Sequence, residues 1–180
     1  MMLKNLYGKV WKEIISLNRK TYTLVEISLL AAFIVVSGTF RIPSGIPGSE
    51  FQLSAPIAIA ICAIFGFKRY MIAGVIASCI LFMLGIHTLF NVEIAMVFRL
   101  VGGGIVALFG TRLPIIMIAG PIGTLTARIV LALTLQVPAL PLILLAIPGM
   151  IFTALLSYPI MKIFNKIKQR TGMIYNEKLV

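Results

Sequence analysis

Four ionisable side chains stand within or beside long apolar runs of this chain: Glu26, Glu93, Arg99 and Arg128. A charge inside a bilayer is costly, and by default it marks a protein-lined or wet cavity. Arg99 follows Asn91 by eight residues, and Arg128 precedes Gln136 by eight. At a helical rise of ~1.5 Å per residue, both arginines lie ~12 Å below the same end of a bundle. Guanidinium forks suit a carboxylate or phosphate, so the pair reads as the floor of a pocket for an acidic ligand. Gln52, His87, Asn91 and Glu93 would rim that pocket, and Thr124 adds a hydroxyl one turn from Arg128 on the same helix face. Alternatively, Glu93 pairs with one arginine while the other snorkels outward, and the charges serve packing only. Glu26 is close to Arg19 and Lys20, where a local ion pair accounts for it.

The other residue types exclude much chemistry. The chain has five acidic residues, all glutamates, so carboxylate-pair hydrolysis and two-metal chemistry have little to work with. Cys62 and Cys79 lie in apolar runs without a CxxC pair, and His87 is the lone histidine, too few groups for a metal site. No GxSxG, HExxH or Walker pattern occurs. The expectation is a protein that is not an enzyme and carries no cofactor or metal of its own.

The elements that must position these residues are apolar helices. Sixty per cent of residues are hydrophobic, 12 % are charged and the mean hydropathy is +1.07, more apolar surface than a soluble domain of 180 residues could bury. Uninterrupted runs of roughly 17–25 residues suit spans of a ~30 Å hydrocarbon core. Six are expected, at about 22–40, 52–67, 70–86, 92–109, 113–137 and 142–164. The predicted fold is therefore all-α: an integral membrane bundle of six transmembrane helices at 21–165, after a basic amphipathic segment at 1–20 and before a basic tail at 166–180. In the first segment Leu3, Leu6, Tyr7, Val10, Trp11 and Ile14 recur at helical spacing opposite Lys4, Lys9 and Lys12, the pattern of a helix lying in the headgroup layer.

Thirteen lysines and arginines then fall on the side of the two termini and only Arg41 on the other. By the positive-inside rule both termini are cytoplasmic, and the formal charge of +11 is a topology feature rather than a nucleic-acid footprint. Between the first two spans, Pro43 and Pro47 stiffen a loop in which Gly45 and Gly48 permit tight turns, a candidate lid over the pocket. Ser28 with Ala32, and Gly74 with Ser78, have the small-xxx-small spacing of close helix contacts, while Gly102, Gly103 and Gly104 leave room beside Arg99. Pro121, Pro148 and Pro159 predict kinks in the last two spans.

Length, span number, the basic N-terminal stretch, the opening LVEISLLAAFIVV and the segment SEFQLSAPIAIAICAIFGF after a Gly/Pro loop together resemble the substrate-binding S component of an energy-coupling factor (ECF) transporter. The resemblance covers nearly the whole chain. It implies a high-affinity micronutrient-binding subunit of a bacterial or archaeal cell membrane, with a pocket under the loop between helices 1 and 2. Such subunits dock on a membrane coupling subunit through an AxxxA-type motif in helix 1, and two ATPase subunits use the ATP. Here Ser28 and Ala32 occupy that motif, with serine in place of the first alanine. A competing expectation is a six-helix scaffold protein of the cell-morphogenesis type with no ligand.

Overall fold

The computed structural model describes residues 2–43 and 50–170, with side-chain surroundings for 20–40 and 53–169. Along the described chain, helix α1 (Met2–Thr39) leads through a short ribbon of β1 (Arg41–Pro43) and β2 (Glu50–Gln52) into α2 (Ser54–Phe65). Helices α3 (Phe67–Met83), α4 (Leu89–Phe109), α5 (Leu113–Leu135) and α6 (Ala139–Arg170) follow.

Helix α1 runs unbroken past residue 20, because neither glycine nor proline interrupts the sequence between Gly8 and Gly38. Ile27, Leu30, Ala31 and Ile34, at helical spacing, pack inward, while Leu24, Val25, Leu29, Phe33 and Val36 face outward. The expected lid loop begins and ends as an antiparallel ribbon, pairing Arg41 with Gln52, Ile42 with Phe51 and Pro43 with Glu50. Pro43, which has no N–H to give a ladder, sits at the ribbon's last described position. Gly45, Pro47 and Gly48 lie outside the described residues.

The ribbon corrects the second span. Gln52 belongs to β2 rather than to a helix, and α2 has only 12 residues. It is therefore ~18 Å long, well short of a bilayer core. Gly66, at φ 84°, reverses the chain at once into α3 of 17 residues. Among the described residues four helical stretches are long and apolar enough to cross a membrane: Lys20–Thr39, Leu89–Phe109, Leu113–Leu135 and Ala139–Gln169. Residues 56–62 of α2 are buried on every side, so this short helix is a central plug with the longer helices around it.

Packing around α2 relies on small residues. A Cβ at Gly102 of α4 would meet both the Ala119 carbonyl of α5 and Ile59 of α2 at 3.1 Å. Gly123 of α5 returns the contact against Phe98 and Gly102, and Gly103 receives the Tyr70 and Phe67 rings of α3. The glycine run thus serves helix contact at two of its three positions, and only Gly104 faces open space. Helices α5 and α6 are assigned as continuous α-helix through Pro121, Pro148 and Pro159. Helix α6 also runs on through residues 166–169, where a tail was expected. There Lys168 donates to the Ile64 carbonyl at 3.1 Å and sits 5.0 Å above the Phe65 ring, closing the C-terminus of α2.

Large apolar side chains such as Leu29, Leu100, Leu108, Leu133 and Leu155 cover the outside of the bundle. That surface suits lipid, not water.

Candidate functional site

The polar features divide between two ends. At the end that carries the α2–α3 turn, Glu26 of α1 is buried and meets Arg69 of α3 at 3.1 Å. This partner comes from a neighbouring helix, where a local pair with Arg19 or Lys20 was the expectation, and the Arg19 side chain lies outside the described residues.

Toward the ribbon end, α4 begins where Thr88 Oγ1 accepts the Asn91 N–H at 3.4 Å. Asn91 and His87 are both half-buried here, and the His87 N–H donates to the Leu81 carbonyl at 3.1 Å. Gln136 closes α5 at the same end in a left-handed conformation, φ 53°. About one turn into the bundle, Glu93 accepts a short hydrogen bond from the Thr134 hydroxyl of α5. The expected alternative pairing of Glu93 with an arginine is absent: its described partner is Thr134.

Arg99 lies deeper and is only 6 % exposed. Its Nη1 donates to Ser78 Oγ at 2.7 Å, across the interface with α3. One turn along α3 is Gly74, where any Cβ would overlap the Nε and Cδ atoms of Arg99. Gly74 and Ser78 were expected to let two helices approach. They instead make room for an arginine side chain. Arg99 Nε is buried without a hydrogen-bond partner, and the buried Tyr70 hydroxyl, also unpartnered, lies within its electrostatic reach.

Arg128 on α5 is half-buried, with its Nε fully enclosed and without a partner. Thr124 lies one turn away and is half-buried. Two cross-contacts, Phe98 and Gly102 against Gly123, and Glu93 against Thr134, bracket Arg99 on α4 and Arg128 on α5. Both arginines thus occupy the same stretch of the α4–α5 pair, as their spacing from the helix ends predicts. Among the described residues no hydrogen bond or ion pair joins any two of Asn91, Glu93, Arg99, Thr124 and Arg128. The two arginines stand at one level of the α4–α5 pair, and among the described residues neither forms an ion pair. Buried charges are ordinarily paired. These two have donors to spare, which is the chemistry of an anion-binding interior.

Ser28 and Ala32 lie on the exposed face of α1, among Leu24, Val25, Leu29, Phe33 and Val36. The Ser28 hydroxyl donates to the Leu24 carbonyl at 2.9 Å, so the helix itself satisfies its polarity and the face stays apolar. No group of three or more His, Cys, Asp or Glu side chains that could hold a metal occurs among the described residues.

Residues missed by sequence reasoning are Ser78 as the Arg99 partner, Tyr70 beside it, and Thr134 as the Glu93 partner. Ser78 and Thr134 are single hydroxyls in apolar runs, and only the pairing of helices shows which charge each meets.

These features define a polytopic helical protein of membrane type, with an arginine-bearing interior and a short central helix. No family model matches the sequence. Protein BioX of Lysinibacillus sphaericus is 61 % identical over 152 residues, which cover 84 % of this chain and 92 % of BioX. The chain belongs to the BioX family.

Proposed function

We propose that this chain is the substrate-binding subunit of an ATP-driven uptake system of the energy-coupling factor type, and that it binds biotin or a closely related carboxylic acid. The buried, uncompensated Arg99 carries this proposal, since a guanidinium without a counter-ion calls for an acid on the ligand. The prefix in the name of the BioX relative directs the choice among micronutrients to biotin.

In this scheme Arg99 holds the ligand's carboxylate and Arg128 adds positive potential at the same depth. Gln52, His87, Asn91, Glu93 and Thr124 supply the surrounding hydrogen-bond capacity. The β1–β2 ribbon borders the entrance from the extracellular side. All six helices lie in a bacterial cell membrane, α2 and α3 completing the set, with both termini cytoplasmic. The exposed Ser28–Ala32 face of α1 meets a membrane coupling subunit, and two partner ATPases supply the energy. This chain itself performs no catalysis and keeps no cofactor.

The test is a thermal-shift and calorimetric titration of the purified chain in detergent against biotin, with thiamine and riboflavin as controls. Stabilisation by biotin at submicromolar concentration, lost in Arg99→Gln, is the expected result. Stabilisation by none of the three, or equal stabilisation of the Arg99→Gln protein, would overturn the proposal.

A further inference from the structure

We infer that Gly74 and Ser78 of α3 are positioning residues for Arg99, and that together they set the protein's preference for an acidic over a neutral ligand. This rests on the proposed role of Arg99 as the contact to the ligand's acid group.

Three observations support it. First, a side chain of any kind at Gly74 of α3 would displace the guanidinium, because a Cβ there would overlap Arg99 Nε and Cδ. Second, Ser78 differs from four hydroxyls in the other helices. Ser28, Thr126, Thr153 and Ser157 each donate to the carbonyl four residues earlier in their own helix. Ser78 instead accepts from Arg99 Nη1, and it is fully buried. Third, the two residues lie one helical turn apart on the same α3 face, so one leaves space for the stem of the guanidinium while the other fixes its tip.

The consequence is geometric. An arginine side chain with four rotatable bonds loses affinity and selectivity when its head is not held. With Nη1 anchored on α3, the remaining donors of the head keep a fixed direction. An acid offers them two anionic oxygens, whereas an amide offers one neutral acceptor and no opposite charge.

The experiment compares binding of biotin and of biotinamide, its neutral amide, to the full chain in detergent by calorimetry. Wild-type protein is expected to prefer biotin by about tenfold or more. Ser78→Ala is expected to reduce that ratio to within about threefold, with the ligand-free melting temperature lowered by a few degrees because a buried donor loses its acceptor. Ser78→Thr, which keeps the acceptor, is expected to restore the preference. Gly74→Ala is expected to behave like Ser78→Ala where it folds, and Ser78→Ala alone decides the matter where it does not. A Ser78→Ala protein with the wild-type preference would overturn the positioning role while leaving Arg99 as the acid contact. A wild-type protein with no preference for biotin over biotinamide would overturn both, and that is read before any variant is made.

Discussion

Two buried charges at opposite ends of this bundle have been treated differently by the fold. Glu26 is 8 % exposed and Arg99 is 6 % exposed, so each is removed from solvent to a similar degree. Glu26 meets a cation, Arg69, which α3 brings to it. Among the described residues Arg99 hydrogen-bonds only a neutral hydroxyl from the same helix, Ser78. Helix α3 therefore completes one charge near its first turn and leaves another incomplete near its last turns. A pair that is electrically closed serves the fold. A charge left open, with its geometry fixed, is what a binding site needs before its ligand arrives.

The sharpest way to break this comparison is to neutralise the open charge. Arg99→Gln is expected to weaken biotin binding by about a hundredfold, the scale of losing one partner of a buried charged hydrogen bond. Unfolding of the ligand-free protein should shift little or move upward, because removing an unpaired buried charge relieves its desolvation. Titration calorimetry and a detergent melt measure the two effects separately, and a large loss of stability with unchanged affinity would make Arg99 a packing residue. Arg69→Ala is the converse. It strands Glu26 as a buried carboxylate and is expected to cost about 1–3 kcal/mol of stability, with biotin affinity within about twofold of wild type. Arg128→Gln tests whether the open charge is one residue or two. Arg128 is more exposed than Arg99, so an affinity loss of about tenfold is expected, steeper at low ionic strength.

Much of this was legible in the chain. Apolar run length and the scarcity of acids pointed to a helical membrane bundle, and the equal spacing of Arg99 and Arg128 from their helix ends placed them at one level. The second span reads about two residues too long at each end because SEFQLSAPIAIAICAIFGF is one hydrophobic stretch. Hydropathy does not register that its first residues pair across a ribbon or that Gly66 ends the helix after 12 residues. Gly74 and Ser78 were visible as small residues at helical spacing. Spacing alone cannot tell a groove for a neighbouring helix from a seat for a long side chain, since both need absent Cβ bulk. The Glu26 partner was hidden for a related reason: Arg69 is 43 residues away in sequence, and only the return of α3 along α1 brings it near.

The smallest expected effect concerns how α2 is held. A helix of 12 residues whose last turn is half-buried leaves its last carbonyls in need of donors. Gly66 N–H serves the Cys62 carbonyl at 3.0 Å, and Lys168 of α6 serves Ile64 while its ammonium rests over the Phe65 ring. Lys168→Met keeps the aliphatic stem and removes the charge. It is expected to lower stability by about 1 kcal/mol, the combined scale of a cation at a helix C-terminus and a partly exposed cation–π contact. The Arg99 site lies toward the other end of the bundle, so if α2 behaves as a rigid plug, biotin affinity should stay within about twofold. A drop in affinity comparable to that of Arg128→Gln would instead mean that the two ends communicate through α2. The separation of a closed, structural end from an open, binding end would then fail.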